Sequence, residues 1–184
     1  MTTASDRPEL ESRAGMGGSL DETIELEIRC PITTEILAVI RDFVTSLARQ
    51  MGFDDEAVDQ IELAVDEACA NVVRHAYKHL GVSPDLPAAN RNADEATMRA
   101  CTMWVRLHLG SQFLKITVID HGIGINSEAK GVNTMEEFSA RGGTGGLGMY
   151  IIRNFMDEVE YSYPPSGTVL TMTKYLNSDS RFPT

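Results

Sequence analysis

From Thr23 the chain alternates, with Ile24, Leu26 and Ile28 on one side and Glu25 and Glu27 on the other. That is the period of a half-buried strand, and Pro31 ends it. Thr33 or Thr34 is placed to cap a helix, with Glu35 in its first turn. Ile36, Val39, Ile40, Phe43, Val44 and Leu47 then recur at helical spacing until Gly52. Asp54 opens a second helix, whose buried stripe is Val58, Ile61, Val65, Ala68, Val72 and Ala76, running to about Leu80. Residues 81–98 hold two prolines and few large apolar groups, and read as a surface loop. Two strands come next, Thr102–Leu109 and Phe113–Asp120, about a Gly-Ser-Gln turn. After a polar, glycine-punctuated stretch from His121 to Gly145, a helix spans Leu147–Met156. Val159–Tyr163 and Thr168–Tyr175 form a closing hairpin around Pro164-Pro165-Ser166-Gly167. The order βαα, ββ, αββ predicts an α+β two-layer sandwich: one mixed, mostly antiparallel sheet with helices packed on one face. The folded domain is expected over residues 21–176, between a polar N-terminal tail (1–20) and a C-terminal tail (177–184).

Composition narrows the partners. The 184 residues suit one core, and 42% apolar content with 23% charged residues is that of a soluble globular protein. Sixteen Lys and Arg against 27 Asp and Glu leave a net charge of −11. That sign excludes direct nucleic-acid binding and disfavours anionic membranes. No run of eighteen apolar residues and no apolar signal segment near the start occur, so the cytoplasm is the expected compartment. Cys30, Cys69 and Cys101 have no CxxC spacing, which argues against a disulfide framework or a zinc site.

Three constellations carry candidate chemistry. Asp120-His-Gly122-Ile-Gly124 places a carboxylate at the end of an apolar strand, followed by two glycines. Such a carboxylate can accept a hydrogen bond from an exocyclic amine such as that of adenine. The same residues also read as a plain Asp-Gly turn. Gly142-Gly-Thr-Gly-Gly-Leu-Gly148 runs into a helix start, where free N–H groups and the helix dipole favour phosphate. A flexible glycine hinge is the other reading. Gly143-x-Gly145-x-x-Gly148 matches the dinucleotide fingerprint in form only, since Glu136–Arg141 before it is no strand. There is no Gly-Lys-Ser/Thr, so a Walker loop is excluded. Glu67-Ala-Cys-Ala-Asn71 puts a carboxylate and an amide one helical turn apart, with Arg74 and Lys78 continuing the face. An Asn oxygen suits Mg²⁺ and Glu67 could polarise a hydroxyl, although such residues also make an ordinary solvated face.

In combination, Glu-xxx-Asn on a helix, Asp-x-Gly-x-Gly after a strand and a glycine-rich helix start resemble the GHKL ATPases (the histidine-kinase-like ATPase superfamily). Among these the chain is most similar to bacterial anti-sigma-factor serine/threonine kinases of the RsbW type. The resemblance is carried by Ile61–Tyr77, Ile116–Ile125 and Gly146–Tyr161, and spans about residues 22–176. It implies ATP and Mg²⁺ as cofactors, with Asn71 on the metal and Glu67 as the base acting on an attacking serine hydroxyl. It implies Asp120 on the adenine amine, Gly122 and Gly124 under the base, and Gly145, Gly146, Leu147 and Gly148 along the phosphates. His75, one turn beyond Asn71, is a candidate further nucleotide contact, although a lone helical His is more often structural, and the resemblance makes residues 126–144 the ATP lid. Kinase members commonly carry an Arg where Gly145 stands here, and Arg141 is the nearest substitute. The implied activity is phosphorylation of a STAS-domain anti-sigma antagonist, coupled to inhibition of a sigma factor, by a homodimer. Gly145 keeps a second class open: a nucleotide-responsive binding protein, an anti-sigma or other regulator with little or no kinase activity.

Overall fold

In the computed structural model, residues 23–81, 97, 101–122 and 147–176 are described. The strands are β1 (Ile24–Pro31), β2 (Thr102–Leu109), β3 (Phe113–Asp120), β4 (Glu158–Ser162) and β5 (Thr168–Tyr175). The α-helices are α1 (Thr34–Met51), α2 (Asp55–Asn71) and α3 (Leu147–Phe155). The expected tails, the lid (126–144) and all but the ends of the 81–98 loop lie outside the described residues.

The strands form a single five-stranded sheet in the order β1-β2-β3-β5-β4, antiparallel in every ladder. Register puts the apolar side chains in rows across the helix-facing side. One row is Leu26, Leu107, Ile116, Met172 and Val159, and the next is Ile28, Val105, Val118, Leu170 and Tyr161. The third row reads Cys30, Met103, Asp120 and Thr168. A carboxylate therefore stands where the strand period calls for an apolar side chain. The opposite side is polar, with Arg106 held to Glu27 at 2.7 Å and to Glu25 at 3.3 Å.

Helix α2 packs against both α1 and α3. Its N-cap is Asp54, whose carboxylate accepts the Ala57 N–H at 2.8 Å. Val58, Ile61, Val65, Ala68, Val72 and Ala76 are all buried, as their spacing requires. Full burial of each Val or Ile here contributes roughly 1.5–3 kcal/mol. On α1 the buried line is Ile40, Val44 and Ala48, whereas Val39 is 61% and Phe43 38% exposed. These two positions depart from the expected stripe because they sit on the shoulder turned away from the line packed into the core. Thr33 takes the N-cap place without a side-chain capping bond. Glu35 instead accepts from its own backbone N–H and the Thr33 hydroxyl, which holds its carboxyl below the usual range. Gly52 closes α1 in the left-handed conformation at φ 92°. Lys174 of β5 donates to the Phe155 carbonyl at 2.8 Å, satisfying the end of α3. Cys30, Cys69 and Cys101 are all free and buried, and burial pushes each thiol up.

Candidate nucleotide site between α2 and the sheet

The helical run does not continue as a regular α-helix beyond Asn71. Val72–Ala76 form a π turn, and Lys78–Leu80 a short 3-10 turn. A π turn takes one residue more per turn than an α turn, so the residues beyond it are rotated back by about 100°. Plain α periodicity would turn Tyr77 to solvent, away from the Val58–Ala76 stripe. In the structure Tyr77 is 5% exposed. Its hydroxyl donates to the Thr102 carbonyl at 2.8 Å and accepts the His121 N–H at 3.0 Å. Burial pushes the phenol above the usual tyrosine range.

Asp120 ends β3 on the helix side and is buried. Its Oδ1 accepts the Gly122 N–H at 2.8 Å. Burial pushes its carboxyl above the usual aspartate range, against the pull of the Gly122 N–H and the Thr168 hydroxyl. Gly122 is needed for packing: a Cβ there would run into the Ala76 carbonyl. Glu67 and Gly148 are similarly close, since a Cβ on Gly148 would lie 2.5 Å from Glu67 Oε2. The Glu67 carboxylate thus rests on the first turn of α3, and Arg74 Nη1 approaches it to 3.7 Å.

A small pocket opens between α2, the π turn and the sheet. Ala68, Val72, Ala76, Val118 and Leu170 give it apolar walls, and Asn71, Asp120, Tyr161 and Thr168 supply its polar groups. Asn71 and Asp120, chosen from separate motifs, are therefore brought to one cavity. His75 is exposed and is not among the lining residues, and Leu147 is 42% exposed at the start of α3. Gly124, Arg141, Gly145 and Gly146 lie outside the described residues. Thr168 and Tyr161 were not legible as site residues. They reach the pocket only because β5 pairs with β3 and β4 with β5, a strand order that local patterning does not encode.

The cavity suits a flat ring with a polar edge: apolar faces, and a carboxylate at the end to take an amine. No cluster of three or more His, Cys, Asp or Glu able to hold a metal occurs among the described residues. Asn71 offers a single side-chain oxygen at the pocket, which fits Mg²⁺ carried mainly by phosphate oxygens and not an all-protein cage.

Fold and pocket together are those of an α+β domain that takes a nucleotide. A family model described as the histidine kinase-like ATPase domain matches residues 30–174. A serine-protein kinase RsbW from Halalkalibacterium halodurans is 31% identical over 169 residues, covering 86% of each chain. The Bacillus subtilis serine-protein kinase RsbW is 28% identical over 158 residues, covering 84% of this chain and 87% of the relative. The chain belongs to the histidine kinase-like ATPase family and, within it, to the RsbW-type serine-protein kinases. Among solved structures, the RsbU and RsbW domains of a Mycobacterium tuberculosis protein superpose with TM-score 0.53 at 18% identity, covering 88% of this chain and 35% of that longer one. The SiaB–SiaC complex of Pseudomonas aeruginosa gives TM-score 0.51 at 11% identity, covering 82% of this chain and 88% of that one. At these identities the likeness is one of fold.

Proposed function

We propose that this chain is an ATP-dependent serine-protein kinase of a bacterial partner-switching module, acting on a STAS-domain antagonist and holding a sigma factor inactive in its other state. The observation that carries this is the meeting of Asp120 and Asn71 in one pocket, with Glu67 one turn back on α2 against the start of α3. Asp120 accepts the adenine amine, and the apolar walls hold the ring. Asn71 offers its side-chain oxygen to Mg²⁺, which when bound would offset phosphate charge. The first turn of α3 at Gly148 presents backbone N–H groups toward the phosphates. Glu67 takes the proton of the serine hydroxyl as its oxygen bonds to the γ-phosphorus and the bond to the ADP oxygen breaks. Catalysis is then positioning and charge neutralisation, with little covalent work for the protein. In this reading Gly124 completes the floor under the base, Arg141, Gly145 and Gly146 complete the phosphate side, and the protein acts in the cytoplasm as a homodimer. Among the described residues no helix is long and apolar enough to cross a membrane.

Incubation with labelled ATP, Mg²⁺ and a STAS-domain antagonist tests this, with label expected on a serine of the antagonist. Gly145, standing where kinase members commonly carry Arg, favours the second reading of a nucleotide-responsive binding protein. No transfer, with partner binding intact and dependent on ATP, would establish that reading in place of the kinase.

A further inference from the structure

The Asp120–Gly122 turn is held from two sides at His121. Its backbone N–H is taken by the Tyr77 hydroxyl at 3.0 Å. Its ring packs against Trp104 of the neighbouring strand, with centroids 4.5 Å apart and the planes tilted by 33°. The same Tyr77 hydroxyl is anchored on the Thr102 carbonyl at 2.8 Å. One oxygen thus ties together the end of the helical run that bears Glu67 and Asn71, the start of β2, and the residue after Asp120. On the other side of the turn, Gly122 is seated on the Ala76 carbonyl, beside Tyr77 in the chain. The Gly122 N–H and the Thr168 hydroxyl orient Asp120, so whatever fixes residues 121 and 122 secures one of the two anchors of the carboxylate.

We infer that Tyr77 is a positioning residue for base selectivity, its hydroxyl locking the turn that aims Asp120 at the exocyclic amine. This rests on the nucleotide reading above. Tyr77 is not among the residues that line the pocket; it acts through His121 and Gly122. Without its hydroxyl the His121 N–H and the Thr102 carbonyl lose a buried partner, and the turn is free to relax away from the helix. The carboxylate then discriminates poorly between an amine and a carbonyl at the edge of the bound ring.

The test compares binding of ATP with that of inosine triphosphate, which carries a carbonyl where adenine carries its amine. Tyr77→Phe is expected to lower the ATP-over-inosine preference about tenfold. A loss of folded fraction would weaken both nucleotides equally and leave the ratio unchanged, as expected for Val44→Ala, a core truncation on α1. A Tyr77→Phe protein that keeps the wild-type ratio overturns the inference while leaving the nucleotide reading intact. Failure of the wild type to bind ATP overturns both. Should Tyr77→Phe not fold, amide hydrogen exchange of the wild type decides: the His121 N–H must be protected, and free exchange there refutes the lock.

Discussion

Arg74 Nη1 stands 3.7 Å from Glu67 Oε2, seven residues and two turns along the same helical run. Both side chains are partly exposed, so the pair adds at most about 1 kcal/mol to stability. Its consequence is orientation, because it holds the carboxylate over the start of α3. Glu67→Gln keeps the size and removes the base. ATP affinity is expected to stay within about twofold by titration, while serine phosphorylation falls about 10²- to 10⁴-fold. Transfer at the wild-type rate would remove Glu67 from the chemistry.

Asp120 gives a pH signature. Its carboxyl sits above the usual aspartate range because of burial. Between the ordinary range and that raised value, the folded protein binds more protons at this site than the unfolded chain does. Its contribution to stability is therefore present at low pH and lost as pH rises through that window. Unfolding free energies measured against pH for wild type and Asp120→Asn should diverge in this sense, the wild type gaining relative to the variant as pH falls. Nucleotide affinity should move the opposite way, since the amine needs an ionised acceptor. A difference curve that is flat across the window would show that Asp120 is not perturbed.

Two glycines separate function from folding. A methyl on Gly148 meets the Glu67 side chain alone, most tightly at its carboxylate end, which can swing aside. Gly148→Ala should therefore change stability by no more than about 1 kcal/mol while lowering transfer. Gly167 has φ 141°, and a Cβ there would collide with the Asp120 carbonyl. Gly167→Ala should cost about 2–3 kcal/mol, read as a lower denaturant midpoint. Equal stability losses in the two variants would contradict this division.

Much of the fold was legible in local pattern. The spans Thr102–Leu109, Phe113–Asp120 and Thr168–Tyr175 coincide with the observed strands, because each alternates or runs apolar between clear turn residues. Asp54 and Gly52 marked real helix ends, since capping is chemistry of one or two residues. Glu67, Asn71, Asp120 and Gly148 were legible as candidates because each lies in a short motif. The exposure of Val39 and Phe43 was not, because a helical stripe does not say which of its edges a neighbour covers.

What the amino-acid order determined by itself, then, is the set of elements, most of their ends and the candidate residues for chemistry, all of which depend on neighbours a few positions away; the end of regular α-helix at Asn71, short of the expected Leu80, was not among them. The tertiary structure alone decided which residues share a cavity. Pairing of β5 with β3 brought Thr168 beside Asp120, and β4 brought Tyr161 to the same wall. The π turn rotated Tyr77 from the side that plain α periodicity would give it into the joint between helix and strand. Strand order and a one-residue change of helical register are settled by packing the whole core at once, and no local period records them.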